Sequence, residues 1–190
     1  MNRSLSTFSI YIVAFLISVS FIIGCGNKNS DEDGIVETRK SPIAIASIKS
    51  NSTYIKVVYG QPYRRDRTIF GDLQPWGEVW RTGANEATEI TITEPVLMGE
   101  QAISPGTYAL FTIPEPDSFT VILNHDLGQW GAFSYNPDRD YKRMKFPVTQ
   151  LTDPVEAFTI EFSEAQHNMT TMSLKWGLIQ VNIPIRFYGE

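Results

Sequence analysis

Three side chains able to do chemistry fall within six residues of one another: Arg81, Asn85 and Glu86. A guanidinium is a rigid fork of donors matched to carboxylates and phosphates. The run that holds them, Val79-Trp-Arg-Thr-Gly-Ala-Asn-Glu-Ala-Thr88, also carries Trp80, the kind of aromatic face on which sugars and planar ligands stack. Upstream lie Arg64, Arg65 and Arg67, so the stretch 60–87 contains four of the chain's 16 basic residues. Arg67, Trp80, Arg81, Asn85, Glu86 and Thr88 are the residues expected to bind a ligand. Glu86 is also the candidate catalytic group, because a carboxylate partly buried among tryptophans can have a raised pKa and move protons. Glycoside hydrolysis would require a second carboxylate across the site, for which Asp72, Glu78 and Glu89 are available.

A plainer reading of the same stretch stands beside this one. Ile69, Phe70, Leu73, Trp76, Val79 and Trp80 would cap one open end of a β-sandwich, Glu78 or Glu86 would neutralise Arg81, and Gly83 and Asn85 would supply positive φ in a turn. Either way Arg81 and Glu86 are expected to meet, in a salt bridge or across a bound ligand, with Trp80 packed beneath.

Other chemistry finds little material. His125-Asp126 follows an apolar run, but no Gly-x-Ser-x-Gly elbow accompanies it. The two histidines, His125 and His167, are too far apart in sequence to make a metal signature. Asp138-Arg-Asp140 lacks the spacing of a calcium loop, and no phosphate loop or dinucleotide fingerprint is present. No metal and no cofactor are therefore expected. A net charge of −5 argues against a nucleic-acid partner, whose footprint is basic and clustered.

The elements that must position these residues are strands. Of 190 residues, 42% are hydrophobic and 12% aromatic, which excludes disorder, a coiled coil and a polytopic membrane protein. Period-two alternation marks Tyr54–Tyr59, Glu89–Thr93, Phe119–Leu123 and Phe158–Phe162. Met172, Leu174 and Trp176 then lead through Gly177 into Ile179, Val181, Ile183 and Ile185. Gly and Pro turn signals separate them, as at Met98-Gly-Glu100, Ser104-Pro-Gly106 and Asn136-Pro-Asp138. The pattern predicts an all-β fold, an antiparallel β-sandwich of jelly-roll or immunoglobulin-like type, in one domain over residues 41–190. Its functional-looking feature is one long connection, and Pro184 places the last strand at an edge.

The first forty residues read as an address. Arg3 precedes an uncharged run whose apolar centre is Phe8–Ile23, the form of an export signal. Ile22-Ile-Gly-Cys25 resembles the lipobox of bacterial lipoproteins, in which the cysteine is lipidated after the preceding peptide is removed. Residues 1–24 would be the signal peptide, Cys25 the lipidation site, and 25–40 a polar tether. Lipidated Cys25 makes the membrane a partner and places the protein in the cell envelope outside the cytoplasm. Asp31-Glu-Asp33 resembles charged signals that direct some lipoproteins to the outer membrane surface.

The signature itself carries a resemblance. Val79-Trp-Arg-Thr-Gly-Ala-Asn-Glu-Ala-Thr88 looks like that of a bacterial family known as a domain of unknown function, twenty-nine-eleven in words. Tyr59-Gly-Gln-Pro62, Arg67-Thr-Ile-Phe-Gly71, Ser104–Pro114, Phe119–Asn124 and Trp130-Gly131 are similar to further parts of its pattern, in order. Gln61 stands where an arginine is usual and Asp66 where a glycine is usual. The resemblance implies a secreted or lipid-anchored protein over about Ser41 to Ile185 and no particular activity. The expectation is a lipid-anchored β-sandwich that binds a small-molecule or glycan ligand. The alternatives are a hydrolase using Glu86 with a second carboxylate, and a structural envelope component without a ligand.

Overall fold

The computed structural model describes residues 39–188. Residues 1–38, on which the expected signal peptide, the expected lipidation site Cys25 and most of the expected tether fall, lie outside the described residues. Nine strands follow in order: β1 (Ile43–Ser50), β2 (Thr53–Gly60), β3 (Thr88–Ile92), β4 (Val96–Met98), β5 (Gln101–Ile103), β6 (Gly106–Pro114), β7 (Ser118–Asn124), β8 (Asp140–Phe162) and β9 (Met169–Phe187). Among the described residues there is no α-helix, only a 3₁₀ turn at Pro137–Arg139, where the Asn136 side chain accepts the Asp138 N–H. All pairings are antiparallel, in the order β1-β2-β3-β6-β7-β8-β9-β4-β5.

The length of β8 explains how one sheet encloses a core. Its first part, Asp140–Pro147, pairs with β7, and the rest, from Val148, pairs with β9 across two breaks of register. A strand that changes partners through bulges turns a corner and carries the sheet onto a second layer. Ile55, Val57, Ile90, Leu110 and Val121 from one side and Phe158, Ile160, Leu174, Val181 and Ile183 from the other share a single buried cluster. The predicted all-β antiparallel architecture is the one observed.

Gly177 solves a parity problem within β9. Met172, Leu174 and Trp176 are buried at even positions, and Ile179, Val181, Ile183 and Ile185 at odd ones. The switch falls at Gly177, whose φ of 58° suits glycine and bulges the strand. Its absent Cβ would also lie 3.0 Å from Ile69 Cδ1. Pro184 corrects an expectation, since β9 lies between β8 and β4 and is not an edge strand. Proline is tolerated there because it sits just past the β4 ladder, where its carbonyl accepts the Gly99 N–H.

A second, small cluster forms on the outer face of the first layer. Ala87, Ala109, Phe111 and Ile122 are buried there against Val79, Ile113, Ala132 and Tyr135. The cover comes from Ala132 and Tyr135 of the β7–β8 connection and from Val79 of the β2–β3 connection. Residues 61–87, between β2 and β3, contain no regular strand and touch the sheets through isolated bridges at Tyr63–Ala157 and Trp80–Thr112.

Candidate functional site

The first half of the long connection is laid along β8. Phe158 N–H donates to the Pro62 carbonyl, Arg64 N–H to that of Glu156, and Gln61 Nε2 to that of Phe158 at 3.0 Å. Gln61 thus has a scaffold role. The chain then turns through positive φ at Arg65 and Asp66. Arg67 clasps this turn, donating from Nε to the Arg64 carbonyl at 2.9 Å and from Nη2 to that of Tyr63 at 2.7 Å. A cleft of about 340 Å³ opens between Arg64, Arg67, Phe70 and Trp76 on one side and Trp176–Ile179 on the other. Arg67 therefore stands in a different place from the remaining predicted site residues.

The second half folds into a knot around Gly60. Ala84 N–H donates to the Gly60 carbonyl, and a Cβ on Gly60 would lie 1.9 Å from the Ala84 oxygen. Gly83 is needed for the same closeness: its Cβ would come within 2.9 Å of the Gly60 oxygen. The positive φ values fall at Thr82 (54°) and Asn85 (64°), so the expectation for Asn85 holds and that for Gly83 is replaced by close packing. Thr88 Oγ1 donates to the Thr82 carbonyl at 2.7 Å, and Thr82 Oγ1 reaches Thr112 Oγ1. Tyr-Gly-Gln-Pro and the ten-residue signature are thus two parts of one buried structure.

Trp80 belongs to that structure. It is 3% exposed, stacks on Trp176 at 5.7 Å, meets Phe158 edge-on and donates from Nε1 to the Gly83 carbonyl. No face of it is open to a ligand. Thr88 is likewise fully buried.

What remains of the signature points outward. Trp80 enters the main core while its neighbour Val79 packs on the outer cluster, so strand alternation puts Arg81 on the outer side as well. Arg81 is half-buried, and its Nε is buried without any hydrogen-bond partner. Its terminal nitrogens make no hydrogen bond to a described residue. Burial alone lowers its pKa, because no acid offsets the desolvation of the cation. Among the described residues it is the half-buried arginine with no carboxylate in salt-bridge range.

Glu86 has another partner. Arg39 grips it with both ends of the fork, Nη1 to Oε1 at 2.8 Å and Nη2 to Oε2 at 2.5 Å. The direct Arg81–Glu86 bridge is not formed, since the chain preceding β1 brings Arg39 to the carboxylate instead. That hydrogen-bonded guanidinium holds Glu86 below the usual carboxylate range, the opposite of what a general acid needs. Glu86 and Glu89 line one cleft of about 230 Å³ with Ile43, Val58, Tyr59, Gly60, Ala87 and Gly128. Glu89 Oε1 accepts the Gly128 N–H at 2.9 Å. Asp72 and Glu78 are exposed and do not line that cleft. No group of three or more His, Cys, Asp or Glu side chains among the described residues could hold a metal ion.

Sequence reasoning missed Arg39 and the β7–β8 connection. Asn85 accepts the Gly131 N–H through its carbonyl, Ala87 donates to Gln129, and Glu86 bridges to Trp130. The alternation of the signature gave no sign of these long-range partners. A family model described as a protein of unknown function (DUF2911) matches residues 41–185, and the chain belongs to that family. No curated protein and no solved structure matches it.

Proposed function

We propose that this member of the family is a lipid-anchored extracytoplasmic protein whose sandwich binds an anionic small molecule or acidic glycan at Arg81. The observation that carries the binding reading is the unpartnered guanidinium. A buried polar atom without a hydrogen bond costs about 1–3 kcal/mol, and native proteins satisfy nearly all such groups. Here the residue is only half-buried while its Nε is sunk. A carboxylate or phosphate oxygen would supply the missing acceptor and the missing charge, in the bidentate geometry that arginine favours. The buried knot around Gly60 supports the site by fixing the backbone on both sides of Arg81.

The hydrolytic alternative has one point in its favour, the shared cleft of Glu86 and Glu89. The clamp of Arg39 on Glu86 counts against it. The anchoring reading rests on the lipobox-like Ile22-Ile-Gly-Cys25, and an outer-membrane address on Asp31-Glu-Asp33.

The binding reading is tested by thermal shift on the mature chain with acidic and neutral mono- and oligosaccharides. A ligand that binds only the folded state raises the midpoint. Acidic compounds are expected to raise it in the parent and not in Arg81→Met. A shift that survives that substitution, or no shift with either class, rejects the assignment. Anchoring is tested separately: Cys25→Ser should move the chain from the detergent phase to the aqueous phase, and unchanged partitioning would exclude lipidation at Cys25.

A further inference from the structure

The β7–β8 connection shows an apolar surface that the ligand site does not use. Phe133 is 89% exposed, Trp130 63% and Leu127 47%. These side chains are displayed on a braced loop. Ala87 N–H donates to the Gln129 carbonyl at 2.9 Å, Gly131 N–H to that of Asn85 at 2.9 Å, and Asn124 Nδ2 to that of Asn136 at 3.0 Å. Ile43, 56% exposed at the start of β1, lines the same cleft as Gly128, beside Leu127.

We infer that Leu127, Trp130, Phe133 and Ile43 form a membrane-contacting surface that rests in the interfacial layer of a lipid bilayer. The inference rests on the lipid-anchoring reading for which bilayer is near, and on three observations for the contact itself. The first is residue type, since tryptophan with neighbouring apolar side chains suits the boundary between headgroups and acyl chains. The second is place. The described chain begins at Arg39, whose guanidinium is fixed on Glu86, and Glu86 is bridged to Trp130. Cys25 stands 14 positions before Arg39, so a lipid on it would keep Arg39 within about 50 Å of the bilayer. Two members of the exposed apolar set therefore stand beside Arg39: Trp130, bridged to its partner Glu86, and Ile43, which lines the same cleft as Glu86. The third is charge. Arg139 is paired with Asp126 and Arg143 with Asp140, leaving Lys142 against Asp138 and Glu89, the latter on the Gly128 N–H. A rim without surplus positive charge predicts apolar contact that does not depend on anionic lipid.

Two arms test this. In the first, the acylated chain carrying Phe133→Cys is labelled with an environment-sensitive fluorophore and reconstituted in vesicles of phosphatidylcholine and phosphatidylethanolamine containing brominated lipid. Cys25 is the sole cysteine, so position 133 is then the one free thiol. A label at Glu164→Cys, in the β8–β9 hairpin at the opposite end of β8, is the control. The label at 133 should be quenched several-fold more than that at 164. In the second, the mature chain carrying Cys25→Ser, made without its leader, is floated with the same vesicles. Replacing Leu127, Trp130 and Phe133 together by serine should lower its partitioning at least tenfold, equally at low and high salt. Equal quenching at the two positions overturns the inference while a chain still held on the membrane leaves anchoring intact. Equal partitioning of parent and triple variant overturns it too, and so does the absence of any vesicle binding in both arms. Flotation through the patch by a chain that cells do not acylate would reject anchoring and retain the inference.

Discussion

Arg81→Met separates a guanidinium kept for a ligand from one kept for the fold. If Arg81 held the structure together through a buried ion pair, its loss would strand a charge and cost about 3–5 kcal/mol. Among the described residues it has no such partner, and its Nε is buried with no acceptor. Methionine retains most of the apolar stem, which is the part of arginine that packs, and removes a group whose burial costs about 1–3 kcal/mol. Allowing about half of that to be offset by imperfect repacking, the variant should be more stable by about 1 kcal/mol. With a slope of about 2 kcal/mol per molar urea, the midpoint should rise by about 0.5 M. The melting temperature should rise by about 2–4 °C for a domain of this size. Equilibrium urea unfolding of parent and variant, followed by tryptophan emission, reads the difference directly. A loss of 2 kcal/mol or more would refute the reasoning, because it would mean that the guanidinium is satisfied within the fold.

Three further substitutions probe the neighbouring parts. Glu86→Gln should change stability by no more than about 0.5 kcal/mol at neutral pH, as at exposed ion pairs. Because Arg39 holds the folded pKa of Glu86 below its ordinary 4.5, the pair's contribution is present above that value and lost as pH falls through the folded pKa; urea midpoints between pH 6 and 3 should therefore fall less steeply in the variant. Gly60→Ala drives a Cβ to within 1.9 Å of a backbone oxygen that cannot move without undoing the signature, so it should cost about 3 kcal/mol or more, or leave no folded protein, by the same assay. Tyr135 is pushed up to about 12 by burial and then by its hydrogen bond to Asp140. Its contribution is complete below the ordinary value of 10.0 and is lost as pH rises towards 12, so Tyr135→Phe should flatten the alkaline limb of stability between those values.

The strands whose burial alternates cleanly were legible: β2, β3 and β7 are nearly the predicted runs, and the register switch at Gly177 was visible as a change from even to odd positions. β1 was not, because it faces the core with Ala44, Ala46 and Ile48 while Ile43 and Ile45 lie outside, so apolar side chains stand on both faces. The first part of β8 was hidden for the opposite reason, since Lys142, Arg143 and Lys145 break up its apolar run. Within the site, local features were readable and distant ones were not. The left-handed turn at Asn85 follows from its residue type. The pairing of Glu86 with Arg39, 47 positions away, depends on how β1 lies against β2, which no local pattern encodes.

β2 and β3 are antiparallel neighbours in the sheet, and such strands need only a hairpin loop of about 2–5 residues. Topology therefore does not require residues 61–87. Part of their length is accounted for by packing, because Ile69, Phe70 and Trp80 close the end of the core against Trp176. A further part is the knot around Gly60, whose buried threonines and glycine contacts hold the return to β3. Neither use involves the Arg81 side chain. Packing would be better served there by an uncharged residue, and a knot needs only its backbone, since its carbonyl already accepts the Thr88 N–H. A long connection closed by an ordered knot, which then presents a half-buried cation without a partner among the described residues, is a costly way to join two strands and a direct way to hold an arginine for an anion.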